Sequence, residues 1–173
     1  MSVLIELRPE AGPALIVGGG VVATRKAQTM ASGGFHLTVI APVIADKIRE
    51  LPLVTLRTRE FEANDLAGST RWAIVMACTD NRAVNQQIGE LARAANIPVL
   101  VADRQAESTV FTPAIIQDGE LRVAVSTGGA SPGLAKAIRE RIVAGLGPGW
   151  GATLQRARTE RDERLAQKRS GTK

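Results

Sequence analysis

The chain has 173 residues, 45% of them apolar, and a formal charge of +5; that is enough for one main domain with a real core and a small appendage. No apolar run approaches the roughly 20 residues needed to cross a bilayer, and Glu6 and Glu10 stand where a secretory leader would be basic and then apolar, so a soluble cytoplasmic protein with no membrane partner is expected. A single cysteine, Cys78, and a single histidine, His36, exclude an internal disulfide and a Cys/His metal site, and they disfavour hydrolysis by a Ser/His/Asp or Cys/His set.

In chain order, the first strong signal is Ala14 to Val17 followed by Gly18, Gly19, Gly20, Val21, Val22 and Ala23, an apolar strand ending abruptly in three glycines and passing into helix-compatible sequence. This is the pattern of a dinucleotide-binding turn. Gly18 allows the sharp bend, Gly20 lets the backbone approach a pyrophosphate, and Ala23, in place of a third glycine, keeps helix and sheet close. Glycine-rich turns also serve plain structural tightness. A helix is expected from Val21 to Ala31, stopped by Gly33 and Gly34, then strands at Leu37 to Ala41, Val54 to Thr58, Ala73 to Ala77 and Val99 to Ala102. Between them fall a short helix within Ile44 to Glu50 and a longer one from Arg82 to Ala95, stopped by Asn96 and Pro98. Strand and helix thus alternate, and the apolar density of the strands means that both faces are covered. A Rossmann-type parallel sheet of the α/β class follows.

After Asp103 the rhythm changes. Ala114 to Gln117 and Leu121 to Ser126 flank the turn pair Asp118 and Gly119, which predicts an antiparallel hairpin. Ser126 to Ser131 form a second glycine-bearing loop, with Ser131 placed to cap a helix that starts at Pro132 and runs to about Ala144. Gly145, Gly147, Pro148 and Gly149 break the chain, and a polar helix ends it, frayed at Ser170 to Lys173. The apolar hairpin is more than one small unit can cover, so a homodimer is expected. From Gly151 onward there are seven basic and three acidic residues. With no aromatic side chain after Trp150 to stack on bases, this basic tail reads as a solvated helix rather than a nucleic-acid surface.

In a doubly wound sheet, ligands bind beyond the carboxyl ends of the strands. That selects Gly18 to Val22 after the first strand, Ala41, Pro42 and Val43 after the second, Cys78, Thr79 and Asp80 after the fourth, and Asp103 after the fifth. Ala41 and Pro42 stand where a ribose-binding carboxylate is usual, which leaves NAD against NADP open, and Arg25 and Lys26 are nearby charges that more often face solvent. Asp103 is the candidate general base or acid, placed between low-dielectric walls and a cofactor face; a plain turn cap is the alternative. Asp80 leans towards capping the helix ahead of Arg82. The loop of Thr127, Gly128 and Ser131 offers hydroxyls and a helix amino end to a carboxylate or phosphate, or is an ordinary capped helix start.

Taken in order, Ile16 to Gly20 with Val22, Ala23, Arg25, Lys26 and Ala27; Leu37 to Pro42; Thr79 and Asp80 with Val84 and Asn85; Asp103; Phe111, Pro113 and Ala114; and Val125 to Pro132 make the chain resemble the siroheme-synthase family of precorrin-2 dehydrogenases. The resemblance implies a Rossmann domain over 1–112, a dimerisation region over 113–147 and a C-terminal helical part over 148–173. It implies NAD-dependent oxidation of the tetrapyrrole precorrin-2 to sirohydrochlorin. On the family pattern Asp103 is catalytic; Gly18, Gly19, Gly20, Val21, Val22, Ala41, Pro42, Val43 and Thr79 contact NAD; and Thr127, Gly128 and Ser131 meet the substrate. Some relatives also insert iron, and a non-catalytic NAD-sensing module is the rival from another class. The chain departs from the pattern at Leu100, where many relatives have Asn, and in its short, basic C-terminal part.

Overall fold

In the computed structural model, which describes residues 2–170, the wholly buried strand β1 (Ala14–Val17) is the centre of a five-stranded sheet. Its neighbours are β2 (Leu37–Ile40), β3 (Val54–Arg57), β4 (Ile74–Ala77) and β5 (Val99–Val101), in the order β3-β2-β1-β4-β5. All are parallel, with Ile16 opposite both Val39 and Met76. Alternate side chains supply the two faces. Ala14 and Ile16 enter a core with Ala23, Ala27 and Met30, while Leu15 and Val17 enter a second core with Ile88 and Ala92.

The helices follow from those cores. α1 (Val21–Ser32) buries Ala23, Thr24, Ala27 and Met30 at helical spacing, and α2 (Asp46–Arg49) adds Ile48 to the same face of the sheet. α3 (Asn64–Ala67) and α4 (Arg82–Ala94) bring Leu66, Ile88 and Ala92 to the other face. α3 is absent from the sequence-based expectation. The cap of α4 also differs from it: the Asn81 side chain accepts from Ala83 N and Val84 N, and Asp80 lies one residue too early to reach them. Beyond β5, Thr109 Oγ1 accepts from Val99 N at 2.9 Å and Ser108 Oγ from Val101 N at 2.8 Å. Two hydroxyls therefore close the sheet edge where another strand would pair.

These elements belong to a unit that ends at Phe111; a second unit starts at Thr112. It contains the antiparallel pair β6 (Ala114–Asp118) and β7 (Leu121–Val125), then α5 (Pro132–Leu146) and α6 (Trp150–Ser170). Asp118 is paired with Leu121, so the turn is Gly119 and Glu120 rather than Asp118 and Gly119. The Asp118 carboxylate is used elsewhere, accepting from Gly149 N at 3.1 Å. Gly145 does not break the chain but lies inside α5, which ends only at Gly147, φ +67°. Ser170 closes α6, and the rest of the segment expected to fray, 171–173, lies outside the described residues.

Candidate active site

Because the strands are parallel, their carboxyl ends share one edge, and the strand order reverses direction between β1 and β4. That switch point is where a doubly wound sheet opens a ligand crevice. Gly18 sits in it with φ +121°, and a Cβ there would lie 2.3 Å from Cys78 O. Only glycine lets the turn off β1 close against the end of β4. At Gly19 a Cβ would lie 2.0 Å from Val43 O, and Ala45 N donates to Gly19 O at 3.0 Å, tying the glycine turn to the loop after β2.

Gly20 differs from both. Its φ is −88°, and an added Cβ would meet nothing within 4 Å, so no contact inside the protein requires glycine there. The space is open in front of a helix whose start has no side-chain cap, whereas Asn81 caps α4 and Ser131 caps α5. The first-turn N–H groups of α1 carry the partial positive charge of the helix into that opening, a fit for the pyrophosphate of a dinucleotide. Val21 and Val43 flank it with side chains 75% and 80% exposed, Val22 is exposed as well, and Pro42 follows the buried Ala41 in the same loop.

Around this opening the titratable groups are few. Lys26 is half-buried on α1 while Arg25 is exposed, and burial pulls the Lys26 ammonium below its ordinary value. Burial pushes the Cys78 thiol up to about 11 in spite of the charge on Lys26, so Cys78 is neutral and inert. His36 starts at the other end of β2 and is exposed there, away from the strand ends. Among the described residues no group of three or more His, Cys, Asp or Glu is arranged to hold a metal ion, and no helix is long and apolar enough to cross a membrane.

Asp103 lies just past β5, at the same edge as Gly18. Its side chain is 38% exposed, so it does not stand between low-dielectric walls as expected. Nη1 of Arg82 donates to both carboxylate oxygens at 3.0 Å, and Asn85 Nδ2 donates to Oδ1 at 3.1 Å. Burial pushes the Asp103 carboxyl up, but the bonds from Arg82, its own backbone and Asn85, with the charge of Arg82, outweigh it and hold the group below the ordinary carboxylate range. Arg82 and Asn85 are site residues that sequence reasoning did not select. Asn85 left a readable signal: with Ile88, Gly89 and Ala92 it forms the buried stripe of α4, and a polar side chain on an apolar stripe needs a polar partner.

Thr79 behaves differently from the expectation of a cofactor ligand. Its N–H and Oγ1 donate to Asn85 Oδ1 at 3.1 and 2.7 Å, and its carbonyl accepts from Asn85 Nδ2 at 3.0 Å. Its hydrogen-bonding groups orient Asn85 instead. In the second unit, Thr127 Oγ1 likewise accepts from Ser131 N and donates to Ser131 O, both at 3.1 Å, and Ser131 Oγ accepts from Leu134 N. The Thr127 hydroxyl is engaged within the loop and that of Ser131 accepts as the cap of α5, with Gly128 exposed between them. Leu100 is buried in the core with Cys78, which accounts for an apolar residue at the position where the resemblance expects Asn.

Two family models match the chain, "Putative NAD(P)-binding" over residues 5–114 and "Sirohaem biosynthesis protein central" over 118–144. The siroheme synthase of Methylococcus capsulatus is 43% identical over 158 residues, 90% of this chain and 32% of the relative. That of Ectopseudomonas mendocina is 41% identical over 131 residues, 75% and 28%. The chain belongs to the NAD(P)-binding family of siroheme synthases. It spans about a third of the length of these curated relatives. Among solved structures, the precorrin-2 dehydrogenase SirC matches with a TM-score of 0.71 and 26% identity, covering 90% of this chain and 75% of that one. The matched model is one of NAD(P)-binding proteins, and the opening at Gly20 and the amino end of α1 has room for the pyrophosphate of such a dinucleotide.

Proposed function

We propose that this chain is an NAD-dependent precorrin-2 dehydrogenase of the cytoplasm that forms sirohydrochlorin, working as a homodimer. The observation that carries the reading is the sharing of one sheet edge by an uncapped helix start behind Gly20 and the carboxylate of Asp103 after β5. NAD, when bound, supplies the acceptor for a hydride. The chain's own residues do the rest: α1 holds the pyrophosphate, Val21, Val22 and Val43 shield it from water, and Ala41 and Pro42 line the ribose side. Asp103 takes the proton that leaves as the substrate C–H electron pair departs. On the second unit, Thr127, Gly128 and Ser131 are assigned to substrate carboxylates through backbone groups, since the two hydroxyls are engaged.

The lowered pKa of Asp103 has a kinetic consequence. The group is ionised throughout the neutral range, so its acceptor form persists until pH falls below the ordinary carboxylate range. Purified protein given precorrin-2 and NAD is expected to generate NADH absorbance, with no loss of kcat/KM on the acid side until that low range is reached. Asp103→Asn abolishes turnover and keeps NADH binding. Binding of NAD by the wild type without turnover would sink the enzymatic reading in favour of a sensing module. Self-association is supported by the second unit, whose buried residues among those described are Ala135 and Gly151 alone.

A further inference from the structure

Asp103 is held from two sides by groups of different mobility. Asn85 is 1% exposed and pinned by Thr79, so its bond to Oδ1 is fixed. Arg82 is a long side chain, 35% exposed, and in the described hydrogen bonds it is the partner that holds Oδ2. Its Nη2 donates to Glu107 as well, and Glu107 is steadied by Arg93 Nη1, which donates to its carbonyl at 2.6 Å. One guanidinium therefore bridges two acids, with five N–H donors against three described contacts.

We propose that Arg82 is a receptor for a substrate carboxylate and a latch on Asp103: the incoming acid takes over the guanidinium, Oδ1 stays on Asn85, and Oδ2 is released to accept the proton. This rests on the reading of the site as that of a tetrapyrrole dehydrogenase. The exchange replaces one charge-assisted bond by another of the same kind, in a place wet enough for it to occur. Without Arg82, Asp103 and Glu107 would present two neighbouring negative charges to a polyacidic substrate. With it, the same pair becomes a landing point. The charged or titratable groups that interact with Asp103 are Arg82 from α4, which also bridges to Glu107 in the turn after β5, and Cys78, which stays neutral at the end of β4. NAD, when bound, would supply the acceptor for the hydride of one substrate C–H bond, and the released Oδ2 of Asp103 would take the proton of a neighbouring C–H or N–H bond, whose electron pair closes the new double bond. Proton acceptance is thereby coupled to correct seating of the substrate.

The test follows the Asp103 carboxyl by carbon NMR titration in the intact chain, using uroporphyrin as an unreactive polycarboxylate probe. In the wild type the probe should raise the Asp103 titration point. Arg82→Gln should start from the raised position and show no response to the probe, with Arg82→Lys between the two. In turnover, Arg82→Gln should raise KM for precorrin-2 by about tenfold to a hundredfold, the loss of a charge-assisted bond, and move the acid limb of kcat/KM upward while NADH affinity holds. An unmoved titration point in the wild type with probe bound, or an unchanged KM in Arg82→Gln, overturns the proposal. Absence of any NADH production by the wild type instead overturns the dehydrogenase reading, and the NMR titration then still decides whether a tetrapyrrole acid displaces Arg82 from Asp103.

Discussion

At the scale of single residues, the three consecutive glycines have three different reasons to be there. Gly18 is required by backbone shape and by the carbonyl of Cys78 at 2.3 Å from where its Cβ would be. Gly19 is required by the loop after β2. Gly20 is required by neither, and this separates stability from binding experimentally. Gly18→Ala is expected to destabilise the protein by about 2–4 kcal/mol, the range for strain combined with a backbone clash. Gly20→Ala should leave the urea midpoint within about 0.5 kcal/mol of wild type, yet weaken NADH binding in a fluorescence titration, because the methyl group occupies the space left for the pyrophosphate. Equal NADH affinity for Gly20→Ala and wild type would mean that the opening serves no ligand.

At the scale of elements, α3 is the instructive case, a four-residue helix too short to be stable by itself. Its Asp65, with a side chain 4% exposed, accepts from Arg57 Nη1 at 3.1 Å, from Arg59 Nη1 at 2.9 Å and Nη2 at 2.5 Å, and from Glu62 N at 2.9 Å. Trp72 Nε1 closes the knot on the Asp65 carbonyl. The hydrogen bonds from Arg59, then that from the Glu62 backbone and the charges of Arg59 and Arg57, outweigh burial and hold the Asp65 carboxyl below its ordinary value of 3.8. A folded-state value below the unfolded one adds stability that is complete above the unfolded value and disappears as pH falls through the folded one. Asp65→Asn is therefore expected to cost about 2–4 kcal/mol at neutral pH, with the difference shrinking below pH about 4 as wild type loses the same interaction. Urea unfolding at stepped pH reads it, and a difference that stays constant down to pH about 2 contradicts the assignment. The same knot explains what the sequence could disclose. The five strands and α4 were legible because an apolar run or a helical stripe is local information. α3 was not, since it is fixed by arginines on and just beyond β3. The choice of Asn81 over Asp80 turned on one residue of helix register, and the hairpin slipped by one for a similar reason, with Asp118 drawn into pairing and held by Gly149. In the site, Gly18 to Gly20 and Asp103 were legible as strand ends. Arg82 was not, because its pairing with a residue 21 positions away depends on β4 and β5 lying side by side.

At the scale of the whole molecule, the two units differ in how far they satisfy themselves. The first has two separate apolar clusters, one on each face of its sheet. The second, beginning at Thr112, has few buried residues, and Leu134, Val143, Leu146, Trp150 and Leu154 are left exposed. Ile116, Val123, Val143 and Leu146 line a groove of about 590 Å³ between its hairpin and α5. A unit of this size is marginal even with a good core, so its stability should come from association, and a second copy of the chain brings an identical apolar face with closed two-fold symmetry. The basic face of α6 does not oppose this, since Arg158 pairs with Glu120 at 2.7 Å and Arg164 with Glu160 at 3.6 Å. Two results should follow together. Sedimentation velocity at micromolar concentration should give a dimer, and the unfolding of the second unit should move to higher temperature as protein concentration rises, as mass action requires when only the folded form associates. Leu146→Glu should yield a monomer with a lower, concentration-independent transition, and NADH binding by the first unit should survive because its own clusters are untouched. A wild-type monomer whose melting temperature ignores concentration would show that the second unit is stable alone, with its apolar groove facing water.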